Sequence, residues 1–397
     1  MEYTYTQIQE GAAKLFIPEL KESSTLNMQQ IRSQAPVFYN PVMKMNRDST
    51  MLVLMSHINN LGREIEICEP MSGTGVRGIR AALEVESVKK VLLGDLNPSA
   101  IRLTEKNVKL NNVGDRVKAR LMEANLMLSI HAKPLHRFDY VDIDPYGSPS
   151  PFIDSAVRAC KKKGVIALTA TDMAPLCGVN VKACIRKYGG RPQRTSYCHE
   201  QAIRLLVAAL ASTAARHESA VWPIFSYASD HYIRLYARVE RGAKVSNSCL
   251  EEIGYLMHCF KCTYFFSTMH NGKMTCPSCG AEMKPAGPLW IGKLVDPDFC
   301  DSMLKHSEGT HVDSRLLEII EMVKEESEYG PGFYDLDNFC SRLAVASQSL
   351  DAVMKGLRED GFKVAYSYIN SRGFKTDATP DDIDTVIRRL KIVPKMD

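Results

Sequence analysis

Short apolar runs alternate with longer stretches of helical period along most of this chain. The runs at 64–68, 88–94, 116–121, 140–143 and 165–170 have strand length, and the stretches at 76–83, 98–110, 151–159 and 198–217 have helix length. Two further strands, 219–228 and 231–240, are joined by so tight a turn that an antiparallel hairpin is expected. This order predicts an α/β chain with an open, mostly parallel, doubly wound sheet. Ahead of it, 6–20 reads as a hairpin around Glu10-Gly11. Residues 46–60 read as an amphipathic helix with Met51, Leu54, Met55 and Ile58 on one face.

After Val245 the pattern changes. Cys259, Cys262, Cys276 and Cys279 form two CxxC pairs separated by 13 residues, with a strand expected at 264–266 and a hairpin turn at Asn271-Gly272. Two such knuckles can set four thiolates around Zn2+, and four protein ligands leave no open position, so a structural zinc ribbon is expected. From Pro288 onward, helices at 313–327, 335–343 and 350–359 precede a strand at 364–368 and a turn carrying Arg372 and Lys375. A small α+β or winged-helix-like module follows, either binding nucleic acid or only packing. The expected division is 1–245 for the sheet domain with its N-terminal extension, 246–287 for the ribbon and 288–397 for the C-terminal domain.

Composition narrows the setting. Of the 397 residues 45% are hydrophobic and 24% charged, with a net charge of +4, ordinary for a globular protein and compatible with nucleic acid. The start MEYTYTQIQE has neither the basic nor the apolar region of a secretory signal, and the run at 205–215 is too short to span a bilayer. Eight of the twelve cysteines lie outside the CxxC pairs without disulfide-like spacing, so a reducing, cytoplasmic location is expected. No membrane association and no protein partner is implied.

The candidate chemistry sits at strand ends. Gly73, Gly75 and Gly78 fit GxGxxG between a strand and a helix, and Asp95 closes the next strand 17 residues after Gly78. Glycines let backbone approach a ligand, and an acid at that strand end can bind ribose hydroxyls, so a nucleoside-cofactor site is expected. Glu123, beside Ala124, reads equally as an adenine contact or a solvated turn acid. The run 140–143 ends in Asp144-Pro145-Tyr146-Gly147. There a ring can stack on a base while the Asp144 carboxylate and the Pro145 carbonyl accept hydrogen bonds from an exocyclic amine. A capping Asp followed by a turn Pro is the plainer reading. Phe38 and Tyr39 are either buried anchors or a stacking surface, and Arg47 is either solvated or paired with a carboxylate. Lys161, Lys162 and Lys163 read as a basic helix C-terminus. The segment 187–204 reads as a phosphate-contacting or merely solvated basic loop, with His199-Glu200 opening a helix. An adenosine cofactor with a reactive methyl, held by the first two strands, would face Asp144, which describes an S-adenosylmethionine-dependent amine methyltransferase.

VFYNPVMKMNRD, SGTGVRGIR, DLNPSA, DIDPYGSP, TATDMAPLCG and the Cys198-His199-Glu200 triplet together resemble the tRNA (guanine-26, N2)-dimethyltransferase family, in an archaeal or bacterial form. The likeness is concentrated in 37–200 and continues more weakly to the C-terminus. Glu69-Pro-Met-Ser-Gly departs from the Asp-led, Ala-containing version more common in the family, but retains an acid. The CxxC pairs occur in only some members. The resemblance implies a Rossmann-like class I S-adenosylmethionine methyltransferase sheet and two methyl transfers to N2 of a flipped-out tRNA guanine. It implies Asp144, Pro145, Tyr146 and Phe38 as the catalytic set, with Phe38 and Tyr146 sandwiching the base. It implies Arg47, Glu69, Gly73, Gly75, Arg77, Asp95, Glu123 and Ala124 around the cofactor, with Arg47 on the methionine carboxylate and Asp95 on the ribose. Competing readings are an N2-guanine methyltransferase for another tRNA position, a DNA adenine methyltransferase, a noncatalytic zinc-ribbon RNA-binding protein and a nicotinamide dehydrogenase.

Overall fold

The computed structural model describes residues 4–19 and 35–392. Its N-terminal hairpin pairs β1 (Tyr5–Glu10) with β2 (Ala13–Pro18); Leu20, the last residue of the expected hairpin, lies outside the described residues. The strands that follow are β3 (Ile65–Glu69), β4 (Val88–Asp95), β5 (Val117–Leu121), β6 (Phe138–Ile143), β7 (Cys160–Ala170), β8 (Ser219–Ser229) and β9 (Tyr232–Arg241). They form one seven-stranded sheet in the order β5-β4-β3-β6-β7-β9-β8. The β5-β4-β3-β6-β7 run is parallel, and β9 is antiparallel to both its neighbours.

Central strands are buried on both faces, which explains their continuous apolar character. Along β7, Ile166, Leu168 and Ala170 pack into one core with the helix Cys198–Ala215, while Val165 and Ala167 pack into the other with the helices Lys44–Leu61 and Val76–Glu84. The period of two along a strand makes that division. Between β3 and β6 the strand order reverses, and open α/β sheets bind ligands in the crevice beyond such strand ends.

Several elements differ from the sequence expectation. The helix Lys44–Leu61 is not amphipathic: every residue from Met45 to Leu54 is buried. Some of its polar residues are hydrogen-bonded, as where Ser49 Oγ meets the Tyr236 hydroxyl at 2.7 Å. Lys161 to Lys163 belong to β7 rather than to a helix end, and Lys161 pairs with Asp139 at 2.9 Å. Asn271-Gly272 does not join paired strands. In the ribbon, β10 (Ile253–His258) pairs with β11 (Phe265–Thr268), and β12 (Met274–Thr275) pairs with β13 (Glu282–Trp290). Each hairpin turns at its own CxxC knuckle, where Thr263 (φ 68°) and Gly280 (φ 71°) take left-handed backbone. The β13 strand also crosses residue 288, and the helix Ala243–Leu250 crosses residue 246.

A separate core at the C-terminal end joins Tyr334, Leu336, Phe339, Leu357, Phe374 and Ile387. Its sheet contains β14 (Tyr334–Asp335), β15 (Val364–Tyr366) and β16 (Gly373–Thr376) in the order β14-β16-β15. By contrast, Val295, Phe299, Leu316 and Ile320 pack into the core beneath the large sheet. Lys375 is turned inward, away from solvent. Its Nζ donates to Glu200 Oε2 at 2.9 Å and to the Gly332 carbonyl at 2.8 Å, while Glu200 Oε1 accepts from Gly332 N–H and from Arg204 Nε, each at 2.8 Å. Arg372 is held by Asp337 and Ser347. This buried network fastens the C-terminal module to the first turn of the Cys198–Ala215 helix. Removing one partner strands the other charge, so Lys375→Met is expected to lower stability by about 3–5 kcal/mol, whereas Glu200→Gln/Lys375→Met loses less than the two single changes added. Urea unfolding of the four proteins checks this.

Candidate active site

The crevice is built by loops leaving β3, β4 and β6. After β3 the chain turns through Gly73 (φ 54°) and Gly75 (φ 77°), backbone that disfavours a side chain. Gly78 serves packing: a Cβ there would lie 2.5 Å from Leu93 Cδ2 and 2.9 Å from Val91 Cγ1. Asp95, at the end of β4, accepts Gly73 N–H on one oxygen and Asn97 N–H on the other, both at 2.9 Å. The carboxylate is thereby fixed beside the glycine loop and retains further lone pairs. Phe38 lies over this loop, its carbonyl oxygen 3.0 Å from where a Cβ on Gly73 would sit, and its ring is half exposed. Asn97 holds the same segment through the Pro36 carbonyl at 2.7 Å.

Glu123 caps the helix Ala124–Ile130, its two oxygens accepting from Asn125 N–H at 2.9 Å and Leu126 N–H at 2.8 Å. The carboxylate expected to face adenine or water is therefore oriented by the helix it starts. Ala124 is buried.

Arg77 organises the floor. It is buried, and its guanidinium donates to Asp144 Oδ2 and, at 2.6 Å, to Thr50 Oγ1. Its Nε lies 3.4 Å from Glu69 and 3.6 Å from Asp142. Asp142 is in turn clamped by the buried Arg234 at 2.6 and 3.0 Å. Burial works against the Asp142 charge, but Arg234 and Arg77 outweigh it and hold the carboxyl below its ordinary range. Burial pushes Glu69 up to about 8 despite Arg77. Glu69 also accepts Gly78 N–H at 3.2 Å and so props the start of the helix. Thus Arg77 and Glu69, expected around a cofactor, lie beneath the glycine loop and join it to Asp144.

Asp144 opens the turn after β6. Gly147 in that turn has φ 95°, donates its N–H to Thr171 Oγ1 at 2.8 Å and accepts Thr171 N–H at 2.9 Å. Next to it Ser148 Oγ meets the Tyr188 hydroxyl at 2.7 Å, and that hydroxyl donates to Asp172 at 2.6 Å. Tyr146 is left 82% exposed, so its ring is available to a planar ligand. Ser148 and Thr171 lie inside the DIDPYGSP and TATDMAPLCG motifs and Tyr188 in the basic loop segment, but no local pattern assigns a role to any of the three, because each acts through a partner remote in the chain.

Arg47 is occupied within the protein. Its Nε and Nη2 make a bidentate pair with Glu10 at 2.6 and 2.5 Å, and Arg80 reaches the same carboxylate at 3.0 Å. Tyr39 joins this group, donating its hydroxyl to Glu10 at 2.9 Å. The carboxylate partner expected for Arg47 is here supplied by the N-terminal hairpin.

In the ribbon, the four cysteine sulfurs lie within 4.8 Å of one another, with Cys259–Cys279 at 3.4 Å and Cys262–Cys276 at 3.5 Å. Tetrahedral Zn–S bonds of about 2.3 Å place sulfurs about 3.8 Å apart, so this donor set fits a thiophilic cation. Among the described residues no helix is long and apolar enough to cross a membrane.

The reversed β9 separates this sheet from the all-parallel order of dinucleotide-binding folds. With a glycine loop and an acid at the first two strand ends, it places the chain among Rossmann-like class I methyltransferases. The family model described as N2,N2-dimethylguanosine tRNA methyltransferase matches residues 11–388. A tRNA (guanine(26)-N(2))-dimethyltransferase of Methanothermobacter thermautotrophicus is 37% identical over 390 residues, 96% of this chain and 98% of that protein. A tRNA (guanine(26)-N(2)/guanine(27)-N(2))-dimethyltransferase of Aquifex aeolicus is 34% identical, covering 98% of this chain and 95% of its own. The structure of Trm1 from Pyrococcus horikoshii with S-adenosyl-L-methionine is similar at a TM-score of 0.81 and 31% identity, over 96% of this chain and 99% of that one. The chain belongs to the N2,N2-dimethylguanosine tRNA methyltransferase family.

The Glu10 cluster makes acid stability testable. Burial raises the Glu10 carboxyl, yet Arg47 and Arg80 bring it from 4.5 down to about 2. The folded value lies below the unfolded one, so this stabilisation is complete above pH 4.5 and is lost as pH falls toward 2. Wild type is expected to exceed Glu10→Gln by about 3 kcal/mol near neutral pH, and the gap to narrow at about pH 3. Denaturant titrations at the two pH values measure it.

Proposed function

We propose that this protein transfers two methyl groups from S-adenosyl-L-methionine to N2 of guanine 26 in tRNA, forming N2,N2-dimethylguanosine. The observation that carries the reading is the Asp144-Pro145-Tyr146-Gly147 turn, held beside the glycine loop by Arg77. Family membership supports the substrate, and the Trm1 complex supports the cofactor.

Bound S-adenosyl-L-methionine supplies an electrophilic methyl on a sulfonium. The protein's task is then to position a weak nucleophile, since the guanine amine lone pair is delocalised into the ring. Phe38 and Tyr146 stack on the flipped-out base. The Asp144 carboxylate and Pro145 carbonyl accept hydrogen bonds from the amine, aiming its lone pair at the methyl at about 3–3.5 Å. Methyl transfer would form the N–C bond as the sulfonium S–C bond breaks, with S-adenosylhomocysteine as the leaving group, while Asp144 would stabilise the positive charge developing on the amine and take up the proton that leaves N2. Arg77 keeps that carboxylate in place, and Gly147, held by Thr171, fixes the turn. Asp95 and the Gly73–Gly75 backbone hold the nucleoside part of the cofactor, and Glu123 and Ala124 border its base. Arg47 reaches the methionine carboxylate only by sharing it with, or exchanging it for, Glu10. The four ribbon thiolates hold a structural zinc, and the setting is cytoplasmic.

Incubation with S-adenosyl-L-methionine and an unmodified tRNA transcript, followed by nucleoside mass spectrometry, tests the reading against a transcript with adenine at position 26. N2-methylated guanosine is expected only in the first. Product in both moves the target site, and product in neither with intact cofactor binding overturns the tRNA assignment. Asp144→Ala is expected to lower turnover by about 10²–10³ while cofactor binding measured by calorimetry persists. Near-wild-type turnover removes Asp144 from the mechanism.

A further inference from the structure

Away from the ribbon, Cys177, Cys198 and His199 bring their ligand atoms within 4.8 Å of one another, each side chain half-buried and so within reach of a dissolved ion. We propose that these residues form a second metal site, binding Zn2+ or a similar thiophilic divalent cation through two sulfurs and one imidazole nitrogen.

Zn–S bonds of about 2.3 Å and Zn–N bonds of about 2.0–2.1 Å at a tetrahedral angle separate sulfur from nitrogen by about 3.6 Å. Cys198 Sγ and His199 Nδ1 lie 3.7 Å apart, so this edge of the coordination polyhedron is already formed. The cysteines are free thiols, not a disulfide. Cys198 and His199 open an 18-residue helix whose N-cap, Tyr197, contributes no side-chain hydrogen bond. The positive end of the helix dipole therefore favours the charge brought by two thiolates. Two sulfurs and one nitrogen leave a fourth position for water, unlike the closed four-sulfur ribbon.

The placement gives such an ion a structural consequence. Cys177 ends the short helix Met173–Leu176, in the segment where Thr171 holds Gly147 and Asp172 holds Tyr188. His199 is followed by Glu200, the partner of Lys375 from the C-terminal module. A metal at this point joins the wall beside the Asp144 turn to the helix that anchors that module.

The test uses the full chain, reduced and purified without chelator, exposed to excess Zn2+, desalted, and measured for zinc by elemental mass spectrometry. Two zinc equivalents per chain are expected for the wild type. Cys177→Ser/Cys198→Ser is expected to retain only the ribbon equivalent, and Cys276→Ser/Cys279→Ser only the new one. Because serine variants can unfold locally, Co2+ binding to His199→Gln is a second measurement. Loss of a nitrogen ligand changes the cobalt ligand-field absorption if the imidazole coordinates, and an unchanged spectrum excludes it. One equivalent in the wild type that survives in Cys177→Ser/Cys198→Ser overturns the proposal. So does a Cys177–Cys198 disulfide found by peptide mapping of reduced, zinc-exposed protein with no second equivalent bound.

Discussion

A guanidinium buried beneath the point where the strand order reverses is the constraint on which the site depends. Arg77 comes from the helix after the glycine loop, whereas Asp142 lies on β6 and Asp144 opens the turn after it. Neither partner can be removed cheaply, because each would leave the other charged in a low-dielectric interior. The pairing therefore fixes the distance between the glycine loop and the Asp144-Pro145-Tyr146-Gly147 turn. Arg234 completes the arrangement from β9, the reversed strand, by clamping Asp142. The antiparallel hairpin thus supplies a charge to the floor of the crevice as well as closing the sheet.

Rigidity in the floor contrasts with exposure at the rim. Phe38 and Tyr146 present aromatic surface to solvent, at 49% and 82% of their full exposure. Exposed rings leave open faces on which a planar group can stack. Segments distant in sequence stabilise the rim, through Thr171 beneath Gly147 and Asn97 beneath the segment carrying Phe38.

The C-terminal module is joined to this site by charge as well as by packing. Lys375, Glu200 and Arg204 form a satisfied buried network at the first turn of the Cys198–Ala215 helix. That turn also carries Cys198 and His199. One helix end therefore faces the wall of the site on one side and the C-terminal module on the other.

The sequence by itself determined the sheet, the glycine loop, the strand-end acid, the Asp-Pro-Tyr-Gly turn and the paired CxxC knuckles. Each is a local pattern whose chemistry depends on spacing along a few residues. The tight turn between the last two strands was enough to predict an antiparallel hairpin there. The order of elements was not enough to distinguish a solvated lysine from a buried one, as Lys375 shows, or an amphipathic helix from one enclosed on every side, as at 45–54. Arg47, read as solvated or paired with a carboxylate, and Glu123, read as an adenine contact or a solvated turn acid, belong to the same class: Glu10 lies 37 positions from Arg47, and Glu123 caps its own helix. The tertiary structure decided these because burial and ion pairing are set by which surfaces meet, and distant segments leave no periodic trace of that in the chain.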